Sequence, residues 1–91
     1  MANTVTESQT YKNFTATTTI VPPTGFRGAR LLGIFVASSS SGTIKVQDGA
    51  STVVNTFSVN AGTFYPIPAE CSGTVTITVA GTLDATVFYT A

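Results

Sequence analysis

The chain has no histidine, no tryptophan and a single cysteine, Cys71, in 91 residues, and charged side chains make up only 9% of it. An ordinary soluble domain carries about 25% charge. Each shortage removes a class of chemistry. Without histidine there is no general base for a serine or thiol nucleophile, and the commonest zinc ligand is missing. One cysteine excludes an intrachain disulfide and a thiolate metal cluster, so no cofactor or metal is expected. The four basic residues, Lys12, Arg27, Arg30 and Lys45, are scattered and balanced by Glu7, Asp48, Glu70 and Asp84 to a net charge of zero. Nothing there follows a phosphate backbone, so nucleic acid is not an expected partner. The longest apolar run, residues 31–37, falls far short of the roughly 18 residues of a membrane helix, and no membrane partner is expected either. The polar opening Met1, Ala2, Asn3, Thr4 has neither a basic nor an apolar leader segment, which argues against a secretory signal. The free cysteine fits synthesis in a reducing cytosol.

The length suits one domain, and a domain of this size buries only about 60–65% of the surface its unfolded chain exposes. Small domains are usually reinforced by disulfides, a metal or association. Here association is the route left open, and a neutral, charge-poor chain has little to repel its own copies.

What is present is strand-forming. Roughly one residue in five is threonine, and β-branched residues lose little in a pleated backbone. Residues 1–13 read as a polar arm, either a frayed terminus or a segment that orders on a neighbour with Val5 and Tyr11 as anchors. Residues 14–91 form a single β-domain. Strands are expected at 14–21, 30–37, 43–47, 53–59, 64–67, 74–79 and 83–89, separated by Pro22-Pro23-Thr24-Gly25, a small polar turn at 38–42, a hairpin at Asp48-Gly49, Asn60-Ala61-Gly62, Ser72-Gly73 and Ala80-Gly81. Pro66 and Pro68 mark their segment as an edge or a bulge. Residues 74–79 alternate most clearly, with Val75, Ile77 and Val79 toward a core and the threonines away. About seven strands with no helical period predict an all-β fold, a small antiparallel β-sandwich or barrel built largely as a hairpin meander.

One strand breaks the rule of one wet face. In residues 31–37, Leu31, Phe35 and Ala37 point one way by parity and Leu32, Ile34 and Val36 the other, and both sets are apolar. Such a strand lies under covering loops, or a second chain covers one face. Most aromatic residues fall at core-facing positions; Tyr65 and Phe88 fall outside that parity. They suit either a protein interface or a sugar-stacking platform, and the lack of tryptophan favours the interface. The interface candidates are therefore Val5, Tyr11, Leu32, Ile34, Val36, Tyr65 and Phe88.

No arrangement points to catalysis. Glu7 is in the arm, and Asp48 and Asp84 belong to turns, where aspartate has local uses. Glu70 adjoins Cys71, but a neighbouring carboxylate raises a thiol's pKa and weakens it as a nucleophile. The threonine clusters at 15–19 and 74–78 resemble the Thr-x-Thr ladders of ice-binding proteins but lack their constant period; wet-face threonines explain them. An enzyme is not expected.

The stretches Leu31-Leu32-Gly33-Ile34-Phe35-Val36, Gly42-Thr43-Ile44-Lys45-Val46-Gln47-Asp48-Gly49, Val53-Val54-Asn55-Thr56-Phe57 and Ala61-Gly62-Thr63-Phe64-Tyr65-Pro66-Ile67-Pro68 carry a family resemblance. So does the close of the chain, Val75-Thr76-Ile77 and Gly81-Thr82-Leu83-Asp84-Ala85-Thr86-Val87. Over residues 14–90 the chain resembles small proteins from the structural gene clusters of tailed bacteriophages and prophages. The resemblance implies a virion component, a capsid decoration (cement) protein that sits on the head as a homo-oligomer such as a trimer. Its partners would be its own copies and the major capsid protein. It would be made in the bacterial cytoplasm and placed on the capsid exterior. A tail, neck or fibre subunit shares the same composition, and a glycan-binding β-module is the rival from another class, with a cluster around Tyr65 and Phe88. No catalytic residues follow from the resemblance.

Overall fold

Alternating apolar residues in the β-branched segments bury one side of each strand, and the sheet they form closes over that side. The computed structural model describes residues 10–20 and 29–90. Six strands form one antiparallel sheet: β1 (Thr10–Phe14), β2 (Thr18–Ile20), β3 (Arg30–Asp48), β4 (Ser51–Ser58), β5 (Thr63–Glu70) and β6 (Val75–Thr90). The all-β antiparallel class expected from the pattern is the class observed.

Two long strands organise the molecule. β3 and β6 pair along nearly their whole lengths, from Arg30 opposite Thr90 to Asp48 opposite Val75. On the free side of β3, β5 pairs with its first half and β4 with its second. On the free side of β6, β1 pairs with its last residues and β2 with its first. The sheet therefore folds over on itself into two layers, β1-β6-β3-β5 and β2-β6-β3-β4, that share β3 and β6. Among the described residues no pairing joins β1 or β2 to β4 or β5, the arrangement of a sandwich rather than of a closed barrel.

The fold departs from the expected strand list at its corners. Residues 38–42 and Ala80-Gly81 are not turns between strands; they are bends inside β3 and β6. Their ladder continues through the corner with register shifts between Val36 and Ser38 and between Ser40 and Thr43. Extra residues of this kind sharpen bending without ending a strand. Ser41 (φ 60°) and Gly81 (φ 77°) take the left-handed backbone there, and a Cβ on Gly81 would run into the Ser41 carbonyl. Two expected pairs of strands thus merge, while the first divides into β1 and β2, with Val21 outside the described residues. At that division the Thr17 hydroxyl replaces a ladder rung, accepting from the Val79 N–H at 3.0 Å. Connectivity is also less of a meander than expected: among the described strands only β3–β4 is a tight hairpin, turned by Gly49 (φ 60°).

Both layers bury their inner residues in one core. β3 contributes Leu31, Ile34, Val36, Ile44 and Val46; β6 contributes Val75, Ile77, Leu83, Ala85 and Val87. Phe14, Ile20, Ala29, Val59, Ile67 and Cys71 complete it, and no buried polar or charged residue is found among the described residues. One open edge is sealed by Phe57 and Tyr65, edge-to-face at 5.3 Å, with the Tyr65 hydroxyl accepting from the Asn60 N–H. At the other edge Lys12 of β1 donates to the Thr19 carbonyl of β2 at 2.9 Å. The β5–β6 connection is held by Asp48, whose carboxylate accepts from the Ser72 and Gly73 N–H groups at 3.0 and 2.9 Å.

Candidate interaction surface

The alternation that fills the core also decides what each layer shows outward. In the layer β1-β6-β3-β5, the register aligns Tyr11, Phe88, Gly33 and Pro66 in one outward row and Asn13, Thr86, Phe35 and Phe64 in the next. Tyr11 is 71% exposed, Phe64 47% and Phe35 40%. Phe64 and Phe88 lie tilted at 6.4 Å between ring centroids. Their approach depends on Gly33, because a Cβ there would meet the Phe64 ring and the Tyr65 carbonyl. A ring laid across a strand glycine covers backbone that would otherwise be bare. Asn13 fixes the border of this face, donating to Asp84, the Ala85 carbonyl and Thr86.

The other layer presents Thr19, Thr76, Gln47 and Thr52 in one row, with Lys45 opposite Thr78 in the next. Short hydroxyl side chains on a wet sheet face favour the strand conformation and offer little adhesion.

The structure sorts the interface candidates differently from parity counting. Ile34 and Val36 are core residues, 2% and 0% exposed, and no neighbour can reach them. The cause is the register slip between Leu31 and Gly33: the extra residue resets the alternation, so Leu31 and Ile34 share the inner side. The outward side of this strand is carried by Phe35, with Leu32 half-buried at the slip. Tyr65 also turns inward, opposite Ile34, and Phe64 is the outward aromatic residue of β5. Phe88 is outward as expected, so Tyr65 and Phe88 lie on opposite sides of the layer and form no common cluster. Tyr11 is outward but belongs to β1, so residues 10–13 are sheet rather than arm. Val5 lies outside the described residues. Sequence reasoning missed Phe35 and Phe64; their signal was the pairing of β3 with β5, which places them side by side.

The groups with chemical potential are separated. Glu70 turns outward to Arg30 at 2.5 Å, an exposed pair of the kind that adds little stability. Cys71 is buried; burial, with a smaller contribution from the Asp48 carboxylate, pushes its thiol pKa up and keeps it protonated. No three acidic or cysteine side chains converge among the described residues. In comparisons with known proteins, no family model matches the chain, and no curated protein matches it.

Proposed function

We propose that this chain is a non-enzymatic virion structural protein: a capsid decoration (cement) protein that assembles as a homo-oligomer on the head of a tailed phage and braces the shell against the major capsid protein. The observation that carries the reading is the contrast between outer faces, one set with exposed Tyr11, Phe35 and Phe64 and the other with threonine. Exposed aromatic clusters on a charge-poor domain mark a surface meant to be covered. The resemblance to phage structural proteins supplies the setting. On this reading the protein acts on the capsid exterior after synthesis in the bacterial cytoplasm.

Cryo-electron microscopy of purified particles tests this reading. It expects density for this chain repeated over the head surface. Density confined to the tail or neck would replace it with the tail-subunit reading, and absence from the particle would overturn both.

A further inference from the structure

We propose that copies associate head to tail, with Tyr11 of one copy seated in the dent between β3 and β5 of the next. This rests on the homo-oligomer reading above and specifies its contact.

The projecting half is Tyr11. It lies on the edge strand β1, outward beside Phe88, and is the most exposed of the large apolar side chains described. Tyrosine brings a large rigid surface at small entropic cost, which suits an anchor.

The receiving half lies where the β3–β5 register slips. A dent of about 250 Å³ opens there, lined by Arg30, Leu31, Leu32, Pro68, Ala69 and Glu70. Leu31 and Ala69 pair with each other and belong to the inner side, so their backbone floors the dent. Arg30 and Glu70 pair at its end. The volume is below the roughly 300–1,000 Å³ of small-molecule sites and suits a single aromatic side chain. The polar groups at its mouth are the Arg30 guanidinium and the Glu70 carboxylate, exposed and, among the described residues, bonded only to each other. A phenol hydroxyl both donates and accepts, so it can join that pair and leave neither charge without a partner.

The placement of the two halves favours a second copy as the occupant. β1 and β5 are opposite edges of one layer, three strand spacings or about 14 Å apart. One chain thus carries both halves at different positions, and using one leaves the other free. Made once per pair of copies, such a contact is heterologous and closes into a ring when the rotation allows, as a trimer requires; made twice across a two-fold axis it gives a dimer instead.

The test uses sedimentation velocity at micromolar concentration on the full chain and two variants. Tyr11→Ala removes the projection from an exposed position, and Pro68→Arg fills the dent on an exposed edge position. Wild type is expected to sediment as an oligomer, and each variant alone to associate roughly 30-fold more weakly, the loss typical of an interface anchor. An equimolar mixture of the two is expected to give a species of twice the monomer mass, since one intact Tyr11 meets one intact dent. Circular dichroism confirms that both variants fold. If the variants keep the wild-type mass, or the mixture shows no pairing, the head-to-tail contact is overturned while the oligomer reading stands. A monomeric wild type overturns both, and is the outcome expected if a capsid-protein side chain fills the dent instead.

Discussion

The two outer faces of the sandwich are made by the same two strands, yet they differ in character. Along β3 the outward residues change from Gly33 and Phe35 before the bend to Lys45 and Gln47 after it. Along β6 they change from Thr76 and Thr78 to Thr86 and Phe88. The inward residues show no such change: Leu31, Ile34, Val36, Ile44 and Val46 on β3, and Val75, Ile77, Leu83, Ala85 and Val87 on β6, are all buried. One core with uniform demands is therefore enclosed by two surfaces with different ones. Folding requires only the inner residues to be apolar. The aromatic rings outside are not required by the fold, and on the proposed reading a neighbour covers them.

The comparison breaks most visibly if the two layers are not one unit. Ile34 lies beneath the aromatic face and Ile77 beneath the threonine face, both in the shared core. Ile34→Ala and Ile77→Ala should each cost about 2–5 kcal/mol, because the cavity is only partly closed by relaxation. Denaturant unfolding should remain a single transition in both; a transition that splits in either variant would mean the layers unfold separately. Next in size is the corner where the faces change. Gly81→Ala forces a side chain into positive φ and against the Ser41 carbonyl, for an expected loss of about 1–3 kcal/mol in the same measurement.

Substitutions on the faces themselves sharpen the contrast. Phe64→Thr removes a half-exposed ring and should cost about 1 kcal/mol of stability while weakening self-association, measured by sedimentation. Thr78→Ala on the opposite face should stay within about 0.5 kcal/mol and leave association unchanged. The smallest effect belongs to Cys71, on the connection between layers. Its folded pKa lies above its unfolded value because of burial. The contribution is therefore whole at neutral pH and is lost as pH rises through the ordinary thiol range, near about 8.5, and beyond. Chemical denaturation should show wild type losing more stability than Cys71→Ala across that alkaline window, and parallel curves would count against it.

Sequence pattern and structure agree where local chemistry decides. Val75 and Ile77 inward with Thr76 outward, Ile44 and Val46 inward, and Asp48-Gly49 as a hairpin were all readable, because alternation and a positive-φ glycine act within a few residues. Pro66 and Pro68 on an edge strand were readable for the same reason. The corners were not. Four serines and a glycine at 38–42 look like a loop, but a partner strand with its own small residues at Ala80 and Gly81 keeps them laddered. The candidate surface suffered from the same blindness to pairing. A single bulge between Leu31 and Gly33 moves Ile34 and Val36 inward and Phe35 outward, and only the register with β5 brings Phe64 beside Phe35. Parity counted along one strand cannot see an extra residue. The doubly apolar strand does carry an apolar side chain on its outer side, but it is Phe35 and not Ile34 or Val36.

Hydroxyl-radical footprinting read by mass spectrometry compares the two faces within one sample. If a neighbour covers the aromatic face, oxidation of Tyr11, Phe35, Phe64 and Phe88 should fall severalfold between dilute and assembled protein, while Lys45 and the threonine-face backbone remain as reactive as before. Equal oxidation of the four aromatic residues in both states, or protection of the threonine face instead, would contradict the account.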